Sequence, residues 1–202
     1  MDSLIEGYRR FREEVWPAER ARYEALAKRG QRPETLVVAC SDSRVDPSTI
    51  FGAVPGELFV VRNVAALVPP YEPDARYHGT SAALEFGVRV LQVQRIVVLG
   101  HEHCGGVHAM VAGAPEQARD FVAPWVKMAE PALRRRPGPA EAVDAMAHYE
   151  AEVVRVSLSN LMTFPWIREA VEAKRLSLHG ARFAIRTGIL EVLEGDRLRP
   201  VA

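Results

Sequence analysis

The sequence is sparing with cysteine, with net charge and with long apolar runs, and each shortage removes a class of protein. Two cysteines in 202 residues, Cys40 and Cys104, are too few for a disulfide framework. The chain opens MDSLIEGYRRFREEV, charged rather than leader-like, so it is expected in the cytoplasm with both thiols reduced. Lysine plus arginine and aspartate plus glutamate number 26 each, which gives a polyanion no overall attraction, and nucleic acid is not expected as a partner. No apolar stretch approaches the roughly 18 residues of a membrane span. Repeats, low-complexity tracts and domain linkers are missing as well. With 48% hydrophobic residues the chain can bury one core. It is read as a single domain over 1–202, with a helical arm at 1–30 and the core at 34–202.

What is present is a regular alternation. Leu4, Ile5, Tyr8, Phe11 and Val15, then Tyr23 and Leu26, recur at helical intervals on either side of Pro17. They predict two amphipathic helices lying over the core or over a second subunit. Three short β-branched runs, at 36–39, 58–61 and 96–99, predict buried strands. TSAALEFGVRVLQV, between the second and third, carries a continuous apolar helical face. Strand, helix and strand in succession imply an α/β fold with a mostly parallel sheet flanked by helices. Residues 116–135 and 140–163 predict two further helices, and a shorter one leads towards Gly180. Arg182 to Arg186 and Ile189 to Leu193, around Thr187-Gly188, predict an antiparallel edge hairpin.

The chemistry gathers at two strand ends. Cys40 follows the first strand in VVACSDSRVDP, and His101 follows the third in IVVLGHEHCGGV. Open parallel sheets place ligands beyond the carboxyl ends of their strands. The three-residue step from His101 to Cys104 lets both face one point, and Cys40 can supply a third ligand. One imidazole and two thiolates suit zinc, and three protein ligands leave a position for water, as in catalytic sites. Asp42 could take that position, but Arg44 can pair with its carboxylate bidentately and leave it to water. Gly105 and Gly106 allow a backbone amide to approach at a helix start. A structural zinc site and two unrelated buried thiols are the alternatives.

The combination of Cys40-Ser41-Asp42-Ser43-Arg44 with His101-Glu102-His103-Cys104-Gly105-Gly106 resembles the β-class carbonic anhydrases, in particular the plant-like subclass. The likeness extends through FVVRN at 59–63, HGTSAALEFGV at 78–88, NLMTFPWI at 160–167 and LHG at 178–180. It implies a zinc lyase that hydrates carbon dioxide reversibly to bicarbonate and a proton by a metal-bound hydroxide. Zn2+ would sit on Cys40, His101 and Cys104, with Asp42 and Arg44 as the catalytic dyad. Gln31 matches a glutamine that contacts substrate across a dimer interface, and Phe59, Val64 and Phe86 match the apolar pocket. A homodimer or homotetramer is therefore expected. Val37 stands where a bicarbonate-inhibited subclass carries tryptophan, so that inhibitory site is not expected. His103 and His108 are candidates for proton transfer. Hydrolysis of carbonyl sulfide or carbon disulfide at the same zinc, or an inactive zinc-containing interaction module, are the competing functions.

Overall fold

The computed structural model describes residues 1–74, 76–138 and 144–201. Strands β1 (Thr35–Cys40), β2 (Leu58–Asn63), β3 (Arg95–His101), β4 (Ser177–Ala184), β5 (Ile189–Glu194) and β6 (Arg197–Pro200) form one sheet in the order β2-β1-β3-β4-β5-β6. The first four run parallel, and β5 and β6 add antiparallel. The predicted strands β1, β2 and β3 fall where the β-branched runs stand. Leu36, Val37, Val38 and Ala39 are fully buried, as a strand covered on both faces requires.

The helices depart from expectation where proline and glycine intervene. α1 (Asp2–Arg10) and α2 (Trp16–Arg29) are not separated at Pro17; a π-helical turn over Phe11–Val15 joins them. The wider turn shifts the hydrogen-bond ladder at the point where Pro17 lacks a donor, so the rod continues. α1 buries none of its residues, and Leu4, Ile5, Tyr8 and Val15 remain exposed. The single helix expected over 116–135 is instead a 3-10 turn at Glu116–Ala118, α6 (Val122–Lys127) and a 3-10 segment at Glu130–Arg134. Pro115, Pro124 and Pro131 explain the fragmentation, since each removes an amide donor.

After β1 comes the short α3 (Pro47–Ile50), capped by Asp46. α4 (Gly79–Glu85) covers the predicted amphipathic segment and continues as a π turn over Phe86–Val90. α5 (Gly105–Ala112) leaves β3, and α7 (Ala145–Leu161) is the long helix expected before Pro165, the start of that prediction lying outside the described residues. α8 (Pro165–Glu172) stops short of Gly180, which belongs to β4. The hairpin's first strand therefore begins at Ser177 and is an interior strand, paired with β3 as well as β5. β6, not foreseen, is the edge, and Pro200 at its end blunts further pairing.

α7 fixes the sheet to the loops above it. Ser157 Oγ donates to Ala66 O and accepts from Val68 N, both at 3.2 Å, and Asn160 Nδ2 donates to Val68 O at 2.8 Å. The helix comes this close because Gly100 and Gly180 have no side chain. A Cβ on either would lie 2.8 Å from a methyl of Val154. Gly100→Ala is therefore expected to cost about 1–3 kcal/mol in denaturant titration. Adding Val154→Ala should recover part of that loss; strictly additive penalties would show that the helix is not pressed against Gly100.

Candidate metal centre

β1 and β3 are neighbours and run in register, Val38 opposite Val98 and Ala39 opposite Leu99. Their carboxyl ends thus bring Cys40 and His101 together, and the turn into α5 adds Cys104. Ligand atoms of the three buried residues all lie within 4.8 Å of one another, with the two sulfurs 4.0 Å apart. Among the described residues this is the one His/Cys/Asp/Glu group with such geometry.

The His101 ring identifies what the cluster is for. Its Nδ1 lies 2.9 Å from the Glu102 carbonyl, which can only accept, so Nδ1 carries the proton. Nε2 is then a lone pair, and it is buried without a hydrogen-bond partner. An orphaned nitrogen facing two thiols is costly unless an electrophile fills the gap, and a metal ion does so. Donation from the Cys104 thiol holds the Cys40 sulfur well below the usual thiol range, while the same contact and burial push Cys104 up. Burial opposes a charged His101, yet its neighbours, Cys40 first, raise the imidazole's pKa. The amides of Asp42 and Ala65 add to the lowering at Cys40, and those of Val107 and Gly106 oppose the rise at Cys104.

Asp42 stands beside the cluster with its carboxylate already engaged. Arg44 donates from its amide and from Nε to Oδ1, each at 2.9 Å, and from Nη2 to Oδ2 at 2.7 Å. Oδ2 lies 4.0 Å from His101 Nε2. These bonds from Arg44 hold the Asp42 carboxyl far below the usual carboxylate range. Arg62 ties the same loop to β2, donating to the carbonyls of Cys40 at 2.9 Å and Asp42 at 2.6 Å.

Gly106 is buried, and a Cβ there would meet Val64 Cγ1 at 2.7 Å and Ala65 Cβ at 2.8 Å, whereas Gly105 faces open space. Val64 accordingly sits at the metal loop, its carbonyl accepting from Trp125 Nε1 at 2.8 Å. Ala65 and Ala66 both take positive φ, of 67° and 53°. Asparagine tolerates that conformation better than alanine does. His103 is an exposed residue on the turn, and His108 is exposed on α5.

Gln31, Phe59 and Phe86 are elsewhere. Phe59 stands opposite Leu36 at the amino end of β1, and its ring packs 5.9 Å from Phe86. Gln31 precedes β1 and is exposed. Leu36 and Cys40 are separated by roughly 13 Å of strand at about 3.3 Å per residue. One chain therefore brings Val64 to the ligands but not Gln31, Phe59 or Phe86.

Several supporting residues escaped the sequence reading. Glu102, buried between two histidines, accepts from Arg186 N at 2.9 Å and Nε at 3.1 Å; these bonds, the amide's foremost, hold its carboxyl below the usual range. Their partners lie 84 positions apart. Such separation leaves no local pattern to read.

The carbonic anhydrase family profile matches residues 35–190 of this chain. The chain belongs to the β-carbonic anhydrases. A carbonic anhydrase of Pseudomonas aeruginosa is 38% identical over 207 residues, covering 100% of this chain and 91% of that one. The structure of the β-carbonic anhydrase CcaA superposes with a TM-score of 0.91 at 33% identity, covering 100% of this chain and 99% of that one. A chain from the crystal structures of two tetrameric β-carbonic anhydrases of Sordaria macrospora gives a TM-score of 0.75 at 29% identity, covering 98% of this chain and 99% of that one. The carbonic anhydrase reaction is the reversible hydration of carbon dioxide to bicarbonate and a proton, and the Cys40–His101–Cys104 cluster has the geometry to hold a metal ion.

Because Asp42 owes its depressed pKa first to Arg44, its carboxylate should stay ionised as pH falls from neutral to about 4, the ordinary aspartate value. The stabilisation from the pair is complete above that value and is lost only as pH falls through the lower folded one. Arg44→Met should move the Asp42 midpoint upward in a carboxyl-carbon NMR titration. An unmoved midpoint would assign the shift to another group.

Proposed function

We propose that the metal is zinc, held by the Cys40 and Cys104 sulfurs and by His101 Nε2, and that Asp42 and Arg44 are the catalytic dyad of a plant-like β-carbonic anhydrase. The observation that carries this reading is the buried, unpartnered Nε2 facing two thiols beside a carboxylate that Arg44 has already claimed. When bound, zinc lowers the pKa of a coordinated water from about 15.7 towards 7 and so supplies a nucleophile near neutral pH.

The chain's own residues do the rest. Asp42, fixed at both oxygens, is kept from swinging towards the ligands, so the fourth position stays open to water. Its Oδ2, nearest His101, retains acceptor capacity, and a hydrogen bond there orients the nucleophile's lone pair towards the carbon of carbon dioxide. Val64, backed by Gly106, gives the apolar wall that a nonpolar substrate needs. Gln31 before β1, Phe59 near the start of β2 and Phe86 after α4 lie away from their own chain's ligands and complete the pocket of a second copy. Exposed Leu4, Ile5, Tyr8 and Val15 on the arm give that copy an apolar surface to cover, which supports a homodimer or a tetramer built from dimers. Val37 is fully buried in β1, and its position holds no tryptophan for a bicarbonate inhibitory site. A site built on two thiolates suits a reducing compartment, the cytoplasm.

Zinc content and stopped-flow hydration of carbon dioxide on one purified sample test the reading, with carbon disulfide as a competing substrate. One zinc per chain and preference for carbon dioxide are expected. Two thiolates place more negative charge on the metal than imidazoles do, so activity should rise with pH through the alkaline range; a profile flat from acid to alkali would contradict it. Asp42→Asn should lower kcat/KM about 100-fold with zinc retained. A variant as active as the parent would remove Asp42 from the machinery.

A further inference from the structure

Behind the metal loop lies a set of buried charges that the hydration chemistry does not use. Glu150 on α7 is 2% exposed and Arg182 on β4 is 6% exposed. Arg182 donates from Nε to Glu150 Oε2 at 2.7 Å and from Nη1 to Glu191 Oε2 at 2.6 Å, Glu191 being a more accessible residue of β5. The other carboxylate oxygen of Glu150, Oε1, accepts from the Cys104 amide at 3.4 Å.

A buried ion pair is a poor source of stability, because desolvation offsets most of the attraction and well-packed apolar residues often do as well. What a carboxylate offers here, and leucine would not, is an acceptor for the turn that carries Cys104. His103 has φ 54°, a left-handed conformation unusual outside glycine. The bend leaves the Cys104 amide facing α7, where it donates to Glu150 Oε1. The carboxylate reaches it because α7 is pressed against Gly100, the residue before His101.

We propose that Glu150 is a positioning residue of the metal centre: anchored by Arg182, its carboxylate accepts the Cys104 amide and fixes the direction of the Cys104 sulfur towards Cys40 and His101. This rests on the reading of those three residues as zinc ligands. Loss of such a supporting contact typically costs 10- to 100-fold in metal affinity.

The test compares zinc-loaded parent, Glu150→Gln, Glu191→Gln and the paired replacement Glu150→Leu with Arg182→Leu. Each is measured by zinc competition against a chelator, by the thiolate-to-metal absorption of the cobalt-substituted protein, and by thermal unfolding. The paired replacement should unfold close to the parent temperature, yet hold zinc about 10- to 100-fold more weakly and with altered cobalt absorption. Glu191→Gln, which leaves Glu150 in place, should hold zinc as the parent does. A paired replacement with parental affinity and parental absorption would make the ion pair a packing element and overturn the proposal. If that chain does not fold, Glu150→Gln decides. Its amide must turn a donor towards either the Cys104 amide or Arg182, so weaker zinc binding is expected and unchanged binding overturns the proposal. A parent chain that takes up no zinc would overturn the metal-centre reading itself, and the proposal with it.

Discussion

The parallel pairing of β1 with β3 is the constraint on which the site depends. Because Ala39 lies opposite Leu99, Cys40 ends β1 level with Gly100, and His101 emerges one residue further along the adjacent central strand. A slip of β1 by one residue would turn Cys40 to the other face of the sheet and leave His101 where it is. The register is held by burial on both sides, with Leu36, Val38, Ile96 and Val98 in one core cluster and Val37, Ala39 and Leu99 in another. The hydrophobic effect that builds the sheet thus also sets the spacing of the ligands.

Everything above the strand ends is then a problem of satisfying polar groups in a crowded space. Arg62 gathers the carbonyls of the first loop, Arg44 occupies the Asp42 carboxylate, and Arg186 does the same for Glu102. The polar atom left without a partner among the described buried side chains is His101 Nε2. Such economy is what a metal centre looks like when its ligands are organised before the ion arrives.

Much of this was legible locally. β-branched runs announced β1 to β3, and Cys40 and His101 at strand ends, with Cys104 three residues on, announced a cluster of three side chains that the structure brings together. The two-residue step from Asp42 to Arg44 announced a bidentate pair, because such a pair forms within a single loop. The segments after residue 115 were less legible, because the stretch is polar enough for one exposed helix while Pro124 and Pro131 each withhold the amide that a continuous helix needs. The hairpin was visible in its turn, but that β4 lies inside the sheet rather than at its edge depends on pairing with β3, far away in the chain.

By itself, then, the sequence determined the first three strands, the candidate metal-binding side chains and the chemistry they can support, because those follow from residue type and short spacing. Tertiary structure alone decided that Glu102 meets Arg186, that Glu150 reaches the Cys104 turn, and that Gln31, Phe59 and Phe86 stand away from their own chain's ligands. Those relations span distant segments, and they are fixed by sheet order and by the close approach of α7 to Gly100 and Gly180, which no local pattern encodes.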